Sequence, residues 1–532
     1  MQDDLQAFRV QQMDKCFDDF QIPCRWVPDA GYAYGYPQFN YYPPFVYYLG
    51  ALIHRLGFQY IDTVKILFVL GYLFSALAMF YLVKRFTKPH IAFVSAIIFS
   101  YVPYKALEVY VRGAMSEFWA IIFFPLIFAF IYDVIVKDNR KHIAYLALSI
   151  AGLLTTHMLS AFMLLIPAVI WGLYWIYIEK KWKKLGFLII SAVLGLSLSA
   201  FYVLPVIFER QFAHMETLLM GYFDWRKHFV GLFRLLLSRE WGYGSSGFPD
   251  EKLNISTGLI QWIGAIVAAI IALFSIKRNK KVALAILTLI FSEAVILFLI
   301  HPRSNIIWEK ITALQWLQFP WRFLAVSIFL LSLIVGLGLS LLSKKAGLVF
   351  GVLLVVSAII LNINFFKPKE YYQITDAEKF SGKLWDKQLT ISIFDYLPIY
   401  AKLPPVSHAP EKPEILDGRV ETVEYSKGSN YQTGKLVVYE DATIRLPLFD
   451  FPGMAVYANG EQIEHINDDC RNQEFCLGLI TFKLPKGEFS VYTTLTDTLV
   501  RKLGNYLTII SLVAVLFVMT KHGKYKEVGL IG

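Results

Sequence analysis

Charge is scarce in this sequence. Asp, Glu, Lys and Arg make up 17% of its 532 residues, against about a quarter in soluble globular chains. A chain of this length with so little charge is excluded as an ordinary multidomain soluble protein. Cysteine is nearly absent too. The four present, Cys16, Cys24, Cys470 and Cys476, show no zinc spacing. There is also no P-loop, no nucleophile elbow and no dinucleotide fingerprint, and no internal repeat or low-complexity tract. The familiar nucleotide, zinc and serine-hydrolase chemistries are therefore not written in local motifs.

What fills the space is apolar: 56% of the residues are hydrophobic, and they come in blocks. LGYLFSALAMFYLV and FLIISAVLGLSLSAFYVLPVI are examples. Runs of about 18 or more apolar residues suit a hydrocarbon core of about 30 Å. About eleven such segments are predicted, at 64–84, 90–104, 117–136, 142–156, 159–178, 185–207, 258–276, 281–300, 321–342, 346–365 and 503–520. The second and fourth are short for a span. A multi-pass protein of the plasma membrane is expected.

The net charge of +10 could suggest nucleic acid, but its distribution argues against that. Basic residues gather at 84–88, 137–141, 180–184, 277–281, 344–345 and 521–526, in every second loop. The positive-inside rule puts these loops, and the C-terminus, in the cytoplasm. Residues 1–63, 105–116, 209–257, 301–320 and 366–502 then lie outside. All four cysteines fall in those outside segments, as an oxidising compartment requires. Local disulfides Cys16–Cys24 and Cys470–Cys476 are plausible pairings, with free thiols the alternative.

Four regions follow. Residues 1–63 form an outside loop whose Tyr, Phe and Pro content suits an interfacial helix. Residues 64–366 form the bundle, interrupted by a long outside loop at 209–257. Beyond 366 the blocks stop and period-two alternation appears, as in KLVVYE, TIRLPLF, MAVYANG, LITFKLP and EFSVYTTL. Such patterns with Asn-Gly and Lys-Gly turns read as hairpins, so 367–500 is a β-rich outside domain. Residues 501–532 hold a closing span and a cytoplasmic tail.

The ionisable residues of interest all lie on the outer side. Asp3 and Asp4, with Arg9 nearby, are either a solvated pair or two carboxylates able to act as a general base or to share a metal. Glu108 and Arg112 are four apart and would share a helical face, where they could simply pair; Glu117 opens a span, where a carboxylate also favours a helix N-terminus. His157 lies at the outer turn of a two-span hairpin, a site for chemistry or only a turn residue. Arg322, in LQWLQFPWRFL, could snorkel or fork onto a phosphate arriving from the membrane plane. Carboxylates beside arginines at the outer leaflet suit a phosphorylated lipid substrate.

Several longer stretches are familiar. They include DDLQAFRVQQMDKC, RWVPDAGYAYGYPQFNYYPPFVYYLG, YVRGAMSE, THMLSA, EWGYGSSG, QFPWRFL, FDYLP and LFDFPGMAVYANG. Together they resemble a bacterial and archaeal group within the GT-C superfamily of membrane glycosyltransferases. Some relatives carry the label "6-pyruvoyl-tetrahydropterin synthase-related membrane protein". The resemblance implies a GT-C fold and hexosyl or pentosyl transfer from a polyprenyl-phosphate sugar to an envelope glycan, lipid or protein. It implies Asp3 or Asp4 as the base or acceptor-orienting residue, Glu108 or Glu117 as a second acidic position, and Arg322, with Arg112, at the donor phosphate. A divalent metal, Mg or Mn, is compatible with it. In that superfamily the catalytic loop follows a first membrane helix, and this sequence is expected to lack that helix. A non-catalytic envelope protein or lipid-linked glycan transporter is the rival reading, although no inverted repeat is visible. A soluble pterin-type synthase has no His-rich metal spacing to support it.

Overall fold

The computed structural model describes residues 2–247, 252–390, 394–468 and 476–520. Apolar blocks become helices because, inside lipid, a backbone can satisfy its hydrogen bonds only internally. Among the described residues, seven helices are long and apolar enough to cross a membrane: Tyr60–Val83, Met115–Val136, Met158–Glu179, Lys280–Ile300, Pro320–Ser340, Lys344–Phe365 and Leu499–Thr520. Two further pairs pass only when joined across a bend, Pro89–Ser100 with Pro103–Arg112 at 50°, and Lys184–Leu198 with Ala200–Phe208 at 77°. Two of the expected eleven spans fall short. They are the helices Lys141–Thr156 and Leu259–Ser275, of 16 and 17 residues. At about 1.5 Å per residue they reach only about 25 Å.

Pro320–Ser340 is the central helix, with 94% of its apolar stretch buried by protein, whereas Leu499–Thr520 is peripheral at 17%. The sharpest bend has a local cause. The Ser199 hydroxyl donates back to the carbonyls of Gly195 and Leu196, a bond that competes with the helix ladder and bends it.

The C-terminal alternation forms one antiparallel sheet. Its strands are β1 (Glu414–Lys427), β2 (Tyr431–Phe449), β3 (Met454–Ala458), β4 (Glu461–Ile463), β5 (Ile466–Asn467), β6 (Leu479–Leu484) and β7 (Gly487–Leu495), in the order β4-β3-β7-β2-β6-β5 with β1 paired to β2. KLVVYE and TIRLPLF, read separately in the sequence, are one 19-residue strand, β2. The Asn-Gly turn between β3 and β4 has φ of 52° at Asn459 and 87° at Gly460. Both are left-handed, as a type I′ hairpin requires.

The first 63 residues pack on this sheet and share its core. Cys16 and Cys24 are bonded, tying helix Gln6–Asp18 to the following loop. Cys476 is disulfide-bonded as well; Cys470 lies outside the described residues. The Gln21 amide donates to Ser429 at 3.1 Å. Trp26 meets Phe451 at 5.8 Å between ring centroids, and Tyr34 meets Phe449 at 5.5 Å. The Phe449 N–H also donates to the Tyr34 carbonyl at 3.3 Å. Phe449 is thus the joint between chain ends more than 400 residues apart, and it is fully buried. Phe449→Ala is expected to cost about 3–5 kcal/mol, seen as a lowered thermal unfolding midpoint of the detergent-solubilised protein, with little change for the exposed Tyr439→Ala in β2.

Candidate functional site: a buried ionic cluster at the sheet end

After the bend at Ser100, the chain runs through a π-helical turn, Leu107–Arg112, closed by Gly113 at φ 68°. The left-handed glycine reverses the chain so that Met115–Val136 starts two residues later. This reversal brings Glu108, Arg112 and Glu117 together. Arg112 pairs with Glu108, and its Nη1 lies 2.9 Å from Glu117 Oε2. The Tyr104 hydroxyl donates to Glu117 Oε1 at 2.6 Å. From the start of the central helix, Arg322 Nε approaches Glu117 Oε2 at 3.3 Å. Arg322 Nη1 donates to the Leu317 carbonyl and to Gln318 Oε1 at 2.8 and 2.9 Å. The Arg112 guanidinium lies 4.7 Å from the Trp321 ring centroid.

The cluster is a quartet of two carboxylates and two guanidinium groups. Side-chain exposure is 0% for Glu108, 2% for Glu117 and 11% for each arginine. Charges so far from water persist only when paired. Two polar atoms are left buried without a hydrogen bond, Glu108 Oε2 and Arg322 Nε.

The N-terminal segment separates its two aspartates. Backbone N–H groups of Gln2 and Asp3 donate to the carbonyls of Val111 and Arg112, each at 2.8 Å. The Gln2 amide donates to the Gly244 carbonyl at 2.6 Å. Asp3 is therefore stitched to the turn that carries the quartet. Its carboxylate accepts from Arg9 at 2.8 Å and Gln6 at 2.9 Å. Gln6 also reaches the Gly113 carbonyl at 2.8 Å. Asp4 turns elsewhere and pairs with Lys379 at 2.6 Å.

His157 caps helix Met158–Glu179, with Nδ1 2.7 Å from the Ser160 hydroxyl; it lies within electrostatic range of Glu117 and Arg322. The GYGSSG run roofs the cluster. Ser246 Oγ accepts from Trp321 Nε1 at 3.1 Å and lies 2.7 Å from His228 Nδ1. His228 Nε2 sits 2.6 Å from the Tyr222 carbonyl. A carbonyl only accepts, so Nε2 carries the proton and Nδ1 accepts from Ser246.

A divalent metal, compatible with the resemblance, does not fit these residues. Among the described residues no three His, Cys, Asp or Glu side chains converge, and Arg112 occupies both Glu108 and Glu117. Tyr104, Gln6, Gln318, Ser246 and His228 were not singled out from the sequence. Gln6, Ser246 and Gln318 lie in stretches that carry the resemblance, but those stretches name no contact.

These features define a multi-pass helical membrane protein with a β-sheet domain at one end and a buried ionic cluster beside it. The chain belongs to the family described as 6-pyruvoyl-tetrahydropterin synthase related domain, membrane protein, which it matches over residues 39–367, more than half its length. No curated protein and no solved structure matches it.

Two outcomes are expected. Glu117→Gln and Arg322→Gln should each destabilise the protein by about 3–5 kcal/mol, because each strands a buried partner. The double variant should lose about 1–3 kcal/mol less than the sum of the two, measured as a thermal unfolding cycle in detergent; strict additivity would show that the two groups do not interact. The second concerns pH. Burial pushes the His228 imidazole below its ordinary value, so it folds neutral. The unfolded imidazole binds a proton below about pH 6.5, before the folded one does. Stability from this group is full above that pH and is lost as the pH falls through the lower folded value. The unfolding midpoint should drop from about pH 7.5 to about pH 5, and less steeply in His228→Gln.

Proposed function

We propose that the chain is a membrane glycosyltransferase of the GT-C type, moving a hexose or pentose from a polyprenyl-phosphate donor to an acceptor hydroxyl of an envelope glycan, lipid or protein. The observation that carries this reading is the stitching of Asp3 to the backbone of the arginine turn. Of the acids at that turn, Glu108 and Glu117 are buried, whereas the Asp3 side chain is 30% exposed and able to meet an acceptor. Asp3 takes the acceptor hydroxyl proton as the oxygen attacks the anomeric carbon. The bond from that carbon to the phosphate oxygen breaks, and its electron pair leaves with the polyprenyl phosphate. Arg322, whose Nε lacks a hydrogen bond, and Arg112 offset the charge on the leaving phosphate. Arg9 orients the Asp3 carboxylate. The family match supports the membrane setting of this chemistry.

A transport reading draws on a different observation. Lys105 and Glu293 are buried in the bundle. Lys105 donates to the Ser75 hydroxyl at 2.8 Å, and Glu293 meets the Ser327 hydroxyl at 2.5 Å. Neither has an ion-pair partner among the described residues. Lone ionisable groups inside a membrane mark ion or proton paths in transporters.

The two readings separate in proteoliposomes given a labelled polyprenyl-phosphate sugar and a cell-envelope acceptor fraction. Transfer predicts label in the acceptor, a loss of about 100-fold or more in Asp3→Asn, and less than about fivefold in Asp4→Asn. Translocation of intact donor without transfer, abolished in Glu293→Gln, would sink the transferase reading.

A further inference from the structure

The other end of the bundle holds a cavity that the transferase reading does not use. It measures about 180 Å³ and lies where Met115–Val136, Lys141–Thr156 and Lys184–Leu198 end or begin, lined among others by Val134, Lys137, Asp138, Arg140, Lys184 and Phe187. The 22-residue span starting at Met115 separates it from the ionic quartet by about 30 Å, one membrane thickness.

Its charges are not balanced. Three cations face one carboxylate. Lys184 pairs with Asp138 at 2.8 Å, but the Asp138 side chain is 84% exposed, where a single pair is weak. Lys137 approaches Asp133 at 3.2 Å. Asp133 is already gripped by Arg85 through two bonds of 2.9 and 2.5 Å, so Lys137 is surplus to its neutralisation. Arg140 is exposed and has no side-chain hydrogen bond or ion pair among the described residues. The cavity therefore offers a guanidinium and an ammonium with spare donors above an apolar floor of Val134 and Phe187.

The surroundings indicate the kind of anion. Helix Lys184–Leu198 runs away from the cavity with Leu185, Ile189, Ile190, Val193 and Leu196 on its outer surface, each at least 38% exposed. Trp182, two residues before Lys184, and Tyr177, near the end of Met158–Glu179, are 58% and 69% exposed, as aromatic side chains are at headgroup depth. We infer that this cavity is a binding site for the phosphate of an anionic membrane lipid. Arg140 and Lys137 hold the phosphate oxygens, and an acyl chain lies along the exposed apolar row of Lys184–Leu198. Basic pockets between membrane helices bind headgroups in this way. The site is independent of the transferase reading and stands if that reading fails.

The test uses the full-length protein in phosphatidylcholine nanodiscs, titrated with phosphatidylglycerol and read by native mass spectrometry as lipid retained per protein. Wild type should retain phosphatidylglycerol saturably. Lys137→Gln with Arg140→Gln should raise the half-saturating amount by about tenfold or more, and Lys184→Gln alone by less. Lys344→Gln with Lys345→Gln, an equal charge change at another loop of the same end, should shift it by less than about twofold. Unchanged melting in pure phosphatidylcholine confirms that each variant folds. Equal losses in the two double variants would overturn the site in favour of diffuse surface attraction. Displacement of the lipid by inorganic phosphate at matched concentration would overturn the lipid as the ligand and leave a free-phosphate site.

Discussion

A carboxylate removed from water must be neutralised where it stands, and Glu117 shows how much of this structure follows from that. Its two oxygens collect Tyr104 from just before the reversing turn, Arg112 from that turn and Arg322 from the central helix. Satisfying one acid therefore fixes the start of Met115–Val136 against the start of Pro320–Ser340. It also fixes the carbonyls of Val111 and Arg112, which then receive Gln2 and Asp3. Were Glu117 left unpaired, the penalty of several kcal/mol would fall on the same few residues that position the N-terminus.

The same device recurs wherever distant parts of the chain must meet. Arg501 in the last helix is fully buried and bonds Glu209 at 2.9 Å. Asn40 reaches Glu209 at 3.2 Å, and Arg25 reaches Asn505 at 3.0 Å. The first loop, the helix Ala200–Phe208 and the peripheral helix Leu499–Thr520 are joined there by polar groups, because the last helix offers little buried apolar surface of its own. At the other end, Asp133 and Arg85 tie Met115–Val136 to the end of Tyr60–Val83. Apolar packing places the helices, and these pairings set which ends face one another.

What could be read in the sequence was local. Blocks of apolar residues gave the helices, and alternation gave most strands, because both signals live within about 20 residues. The pairing of Glu108 with Arg112 was legible as an i, i+4 spacing. Bends were not: 185–207 reads as one span, and only the hydroxyl of Ser199 marks its 77° break. Strand β1 was missed because EILDGRVETVEYSK is mostly charged and largely exposed, as an edge strand is. The different surroundings of Asp3 and Asp4 were hidden for a different reason. They rest on backbone bonds to residues 111 and 112 and on Lys379, all distant in the sequence. No local pattern encodes such a partner. The approach of Arg322 to Glu117 joins distant parts of the chain, so it too needed the three-dimensional contacts.

The two ends of the bundle differ in a way that constrains any reaction with an anionic lipid. At the sheet end acids and bases are matched: two glutamates with two arginines, Asp3 with Arg9, Asp4 with Lys379. Such a surface exerts little long-range pull on a phosphate. A donor phosphate would gain from Arg112 or Arg322 only by taking over bonds those residues now make to Glu108 and Glu117. Binding would then be an exchange of partners. Its energy would depend on what the released carboxylates find in return, with the Glu108 oxygen that already lacks a partner the first to need one. Under the transferase reading, this coupling makes the quartet more than a fastening. The same carboxylates that hold the helix ends together would compete with the donor, so discrimination would rest on geometry at the arginines. At the basic end Arg140 has no carboxylate partner among the described residues, so the inferred lipid phosphate would meet no such competition there.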